Sequence, residues 1–134
     1  MNRVEGKIVA IASHGNLSLV SITVDDKMLL KSIVIDTPDT ADYLVIGGRI
    51  NLLFKETEAI IATEEISTIS LQNRIPGQIE SIDQGALLAK VTLQTDFGRI
   101  ISIISANAVD SLQLHVGQGA YAMIKLNEMM LSPL

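Results

Sequence analysis

The chain repeats itself, and the repeat limits its fold more than any other feature. Met1-Asn2-Arg3-Val4-Glu5-Gly6-Lys7-Ile8 aligns with Gln72-Asn73-Arg74-Ile75-Pro76-Gly77-Gln78-Ile79 at an offset of 71. Ile11, Val20 and Asp25 then match Ile82, Val91 and Asp96. Further on, Lys55 matches Lys125 and Glu58 matches Glu128 at an offset of 70, so a one-residue slip lies in a loop between. The sequence therefore reads as two copies of one small unit, 1–65 and 70–134, joined near Glu64 to Ser70. Units below about 70 residues rarely bury enough apolar surface alone. Tandem packing or oligomerisation is expected to complete the core.

The units are β-rich. Isoleucine (19) and valine (9) supply a β-branched excess in 134 residues, which favours strands. Val20, Ile22 and Val24 alternate with Ser21 and Thr23, and Val91 and Leu93 with Lys90 and Thr92. Period two over short runs marks half-buried strands. Helix signals are confined to two places. Pro38 follows Thr37 with Asp39 and Asp42 nearby, and Ser105-Ala106-Asn107 leads into Val109 through Leu112. The expected fold is all-β: a tandem pair of small OB-like β-barrels of about five strands, each with one short helix.

Composition removes several function classes. With no cysteine, disulfides, thiolate metal sites and thiol catalysis are excluded. The net charge is -5 and aromatics are 3%, so the chain offers neither a phosphate-binding footprint nor base-stacking platforms. Direct nucleic-acid binding is not expected. No window approaches the roughly 18 apolar residues of a membrane span, and no leader pattern opens the sequence. A cytoplasmic protein without membrane contact is the expectation. No nucleophile elbow, phosphate loop or dinucleotide fingerprint appears, so an enzyme is not expected. Asp25-Asp26 reads as a hairpin tip, Glu64-Glu65 as a solvated linker, and His14 and His115 as turn or surface residues.

What remains is a set of donors at repeated positions. Arg3 and Arg74 recur, as do Lys55 and Lys125. Beside them lie Asn2, Asn73, Ser70, Ser105, Thr57 and Asn127. Guanidinium, ammonium, hydroxyl, amide and backbone N–H groups can together satisfy an oxyanion, whose oxygens only accept. No metal site built from side chains is expected.

Ser70-Leu71-Gln72-Asn73-Arg74-Ile75-Pro76-Gly77-Gln78-Ile79 resembles the opening motif of the molbindin domain, also called the molybdenum-pterin-binding or TOBE-type domain. Gly85 to Val91, Ile103-Ile104-Ser105, Val109 through Gly117, and Tyr121 through Lys125 follow the same pattern. The first half follows it more loosely and ends in Leu53-Phe54-Lys55-Glu56-Thr57-Glu58-Ala59-Ile60-Ile61-Ala62. The resemblance implies OB-like barrels that bind molybdate or tungstate at interfaces between domains or subunits, with no organic cofactor. It implies storage or buffering, or else the sensing or oligomerising module of a molybdate-responsive regulator or transport system. A homo-oligomer, trimer or dimer, goes with it. The family's Ser-x-Arg-Asn falls on Ser70-Leu71-Gln72-Asn73, with Gln72 in place of arginine. Its Thr-x-x-Ser falls on Ser105-Ala106-Asn107-Ala108, and its Lys-Ala-Ser on Lys125-Leu126-Asn127. In the first half, Ile35 and Pro38 replace the hydroxyls of Thr-x-x-Ser, while Lys55-Glu56-Thr57 keeps one. The resemblance thus implies a principal site in the second half, built from Ser70, Gln72, Asn73, Arg74, Ser105, Lys125, Leu126 and Asn127. A weaker or vacant one is implied in the first half, around Asn2, Arg3, Lys55 and Thr57.

Overall fold

Period-two alternation becomes strand along most of the chain. The computed structural model describes all 134 residues. The first repeat forms β1 (Asn2–His14), β2 (Leu17–Val24), β3 (Met28–Val34), β4 (Arg49–Phe54) and β5 (Ile60–Ala62). The second forms β6 (Asn73–Gln84), β7 (Leu88–Thr95), β8 (Gly98–Ser105), helix α1 (Ala106–Ser111), β9 (Gly119–Ile124) and β10 (Met130–Pro133). A single 3-10 turn precedes the last strand of each repeat, at Glu56–Glu58 and Leu126–Glu128. Residues 63–72 carry no helix or strand. The architecture is a tandem pair of OB-like β-units, as the sequence predicts.

Each long first strand serves two neighbours. The start of β1 pairs with β4 and its end with β2, and β6 does the same with β9 and β7. Both strands shift register at matching points, between Ile8 and Ala10 and between Ile79 and Ser81. Such bulges bend and coil a strand. Tight coiling leaves no room for a side chain at the bend. A Cβ on Gly77 would stand 2.8 Å from the Gln94 carbonyl oxygen, and one on Gly6 would stand 2.8 Å from that of Thr23. The repeat thus preserves Gly6 and Gly77 for close backbone approach.

The sheets do not follow the boundary between the repeats. The first has the order β10-β4-β1-β2-β3, and the second β5-β9-β6-β7-β8. Each repeat therefore lends its last strand to the other. β10 lies antiparallel on β4, with Leu131 opposite Leu52, and β5 lies on β9, with Ile61 opposite Ala122. One cluster of 24 buried apolar residues draws on both repeats, from Phe54 and Ile50 to Ile75 and Ile124, so they share a single core. Burying each such side chain is worth about 1.5–3 kcal/mol.

One expected element is missing. The helix predicted after Thr37-Pro38 is only an isolated turn, with the Thr40 and Ala41 N–H groups both bonded to the Thr37 carbonyl. The Thr40 hydroxyl accepts from the Thr37 N–H at 2.8 Å and donates to Asp36 at 3.1 Å, which caps the turn. Beyond it the N–H groups of Leu44 and Val45 bond to Ala41 and Tyr43, three and two residues back, so no helical ladder follows. In the second repeat Ser105 instead caps α1, accepting from the Ala108 N–H at 3.1 Å, and two alanines follow. The predicted hairpin tip is present: Asp25 and Asp26 have φ of 50° and 55°, the mirror-turn geometry suited to a tight hairpin.

Removal of residues 130–134 should deprotect β4 in the first sheet while leaving β9 protected. Amide hydrogen exchange reads this directly; loss confined to the second sheet would contradict the exchanged pairing.

Candidate functional site

Two polar seams join the repeats, and they are copies of each other. Asn2 begins β1 with its side chain turned inward, in phase with Val4. Its amide donates to the Ile101 carbonyl at 2.7 Å and accepts from the Ile101 N–H at 2.9 Å. Asn73 begins β6 and does the same to Lys31, at 2.8 Å in both directions. Each asparagine so mimics a paired strand residue on an edge of the opposite repeat. The next residue along adds a second bond. Ser32 donates to the Met129 carbonyl and Ser102 to that of Ala59, each at 2.5 Å. All four side chains are buried.

The seams place the predicted residues in two groups. Asn73 pairs with Ile124, which sets Gln72, Asn73 and Arg74 beside Lys125 and Leu126. Asn2 pairs with Phe54, which sets Asn2 and Arg3 beside Lys55 and Thr57. Lys55, Lys125, Arg3, Thr57, Ser70, Gln72 and Asn127 are exposed, and Arg74 and Leu126 are half-buried. Arg74 spends its Nε–H on the Leu71 carbonyl at 3.2 Å, leaving its terminal nitrogens free. The first bond within each turn comes late, from Glu128 N–H to the Lys125 carbonyl and from Glu58 N–H to that of Lys55. The N–H groups of Leu126 and Asn127 precede it and remain donors.

Ser105 joins neither Lys125 nor Asn73 through these seams. It ends β8, and β8 packs against the turn that follows Lys55. The turn that follows Lys125 packs against β3, whose end carries Ile35. Cross-wiring of the repeats thus sends the Ser105 segment to the Lys55 side. Asn2 and Asn73 are structural as well as polar. Each amide commits one N–H and one oxygen lone pair to backbone and keeps one of each.

The seam serines and Lys31 are not apparent as site residues in the sequence. Ser32 and Ser102 leave a trace there, as polar residues at inward strand positions. Lys31 leaves none, because its link to Asn73 runs through backbone.

The charges at the strand ends are mostly unspent. The ion pairs are Arg49 with Glu5, Arg99 with Glu80 at 2.8 Å, and the Met1 amine with Glu56 at 3.4 Å. Arg3, Lys31, Lys55, Arg74 and Lys125 pair with no carboxylate. No group of three or more His or acidic side chains is arranged to hold a metal ion. A groove of about 540 Å³ lies elsewhere, between the hairpin tips. Asp25, Asp26 and Asp96 line it with Glu5, Lys7 and Arg49, an acidic balance unsuited to an anion. No helix is long and apolar enough to cross a membrane.

Tandem OB-like units with donor-rich strand ends define a class of small ligand-binding barrels. Residues 69–131 match the TOBE domain. A probable molybdenum-pterin-binding protein of Haemophilus influenzae is 38% identical over 63 residues, which cover 46% of this chain and 91% of that protein. The chain belongs to the molbindin family of TOBE-type domains, with two domains in tandem. The molybdenum transport protein ModE of Herbaspirillum seropedicae is 26% identical over 133 residues, 98% of this chain and 49% of that one. The chain therefore spans about half the length of that relative. A crystal structure of the cytoplasmic molybdate-binding protein ModG, with molybdate bound, shares the fold at a TM-score of 0.89. The match covers 99% of this chain and 96% of that one at 24% identity.

Asn73→Ala should cost about 2–4 kcal/mol, since it leaves both the N–H and the carbonyl of Lys31 without partners. The midpoint of urea unfolding measures it, with Gln72→Ala as a near-neutral control.

Proposed function

We propose that this chain binds molybdate or tungstate as an intact oxyanion in the cytoplasm, and so stores or buffers it. The observation that carries this reading is the concentration of unpaired cations and free N–H donors around Asn73 and Lys125, in a chain whose net charge is -5. Molybdenum-related descriptions of the relatives support the choice of anion. The action is encapsulation, not catalysis. Charge-assisted bonds from Lys125 and Arg74, with weaker ones from Gln72, Ser70, Asn127 and the turn N–H groups, replace the hydration shell. Smaller tetrahedral anions are disfavoured because they leave donors unpaired.

The donors lie open on one side, so the cage closes between copies of the chain, as a dimer or trimer. Ser105 and the Lys55 group then supply a second surface to the interface. Anion bound only by the assembled form stabilises that assembly.

A second reading has its own support. The chain aligns over nearly its whole length with half of a longer molybdenum transport protein. The same two barrels can act as the sensing or oligomerising module of a regulator or transport system.

Molybdate and tungstate should raise the melting temperature at matched ionic strength, and sulfate and phosphate should not. Lys125→Ala should weaken molybdate at least tenfold by calorimetry, and Lys55→Ala less. Equal response to all four anions, or unchanged affinity in Lys125→Ala, would remove this site from consideration.

A further inference from the structure

Lys31 belongs to the first repeat but sits in the seam of the second. The Lys31-Ser32 dipeptide is fastened on both sides. Its first residue bonds to Asn73 through both backbone groups, and its second bonds to the Met129 carbonyl. Gln72 and Arg74 flank the first of these attachments. The turn led by Lys125 precedes the second. Lys31 is thus held between the two segments that carry the candidate oxyanion donors, is half-exposed, and has no carboxylate partner.

The other seam provides an internal comparison. There Ile101 occupies the place of Lys31, bonded to Asn2 in the same way. The charges differ accordingly. Around the Asn73 seam, Lys31, Arg74 and Lys125 stand with one acid, Glu128. Around the Asn2 seam, Arg3, Lys55 and the Met1 amine stand with two acids, Glu56 and Glu58, and the amine already contacts Glu56. A dianion is therefore better compensated at the Asn73 seam. With the Met1 amine and Glu56 offsetting each other, the remaining difference is Lys31, contributed by the opposite repeat.

We propose that Lys31 is a binding residue of the second-repeat oxyanion site, supplying across the seam the positive charge that Gln72 lacks. The inference rests on the oxyanion reading above. Its chemistry is that of a mobile ammonium on a flexible stem, which can meet a dianion without the fixed fork of an arginine. It also predicts inequality between the two seams, since Ile101 can contribute nothing to an anion.

The test is calorimetric titration of the full chain with molybdate. Lys31→Met keeps the backbone seam while removing the charge, and should weaken binding at least tenfold with the melting temperature of the ligand-free protein unchanged. Lys31→Arg should stay within about threefold of the parent. Lys90→Met, which removes an exposed lysine from β7, should bind like the parent. Ile101→Lys should strengthen or add binding at the Asn2 seam. Parent-like affinity in Lys31→Met, with Lys125→Ala impaired, overturns the role of Lys31 and leaves the site standing. Failure of the unaltered chain to bind molybdate or tungstate overturns the parent reading, and this inference with it.

Discussion

A strand edge presents N–H and carbonyl groups that must be paired with another strand, a side chain or water. In this chain β4 and β9 each expose such an edge, and each is covered by the last strand of the other repeat. The rest of the arrangement depends on that exchange. It brings each 3-10 turn onto the opposite repeat's third strand. There Ser32 and Ser102 reach the turn carbonyls, and Asn2 and Asn73 meet the edges of β8 and β3. Two units too small to bury much alone become one core without a disulfide or metal.

The exchange also decides which donors are neighbours. Motifs that are close in one repeat's sequence are separated, and motifs from different repeats are joined. Arg74 and Lys125 share their surroundings with β3, not β8. The asparagines give half of their hydrogen-bonding capacity to this proximity. The cations and turn N–H groups around them are left free. In a chain with more acids than bases, that freedom is the feature to explain, and family membership gives it a direction.

Local features were legible in the sequence. Alternation located the strands, Asp25-Asp26 marked a hairpin tip, and Ser105 marked the start of α1. Thr37-Pro38 misled because proline and acids signal only a first turn, and the N–H groups of Leu44 and Val45 turn to nearer carbonyls instead of extending it. Beyond that hairpin, strand partners were not legible. Period two shows which face of a strand is buried, not which edge it joins. β5 and β10 come from similar repeats and meet similar acceptors, so nothing in their residues announces the swap. Asn2, Asn73, Ser32 and Ser102 gave an indirect sign, as polar side chains at inward positions that must find partners. Lys31 could not be placed in the site, because its neighbour Asn73 is recognised through backbone across a long sequence separation.

β10 is the last strand in chain order, yet it completes the first sheet. During synthesis the first repeat can form its hairpins early, but its β4 edge must wait until the second repeat has been made. Loop closure must come before contacts so distant in sequence, and folds dominated by them form slowly. The half-made chain is then a template for pairing with another chain of the same kind. The residues between β5 and β6 thus act as a kinetic tether. They keep the correct partner strand at high local concentration and favour closure within one molecule over capture by a neighbour.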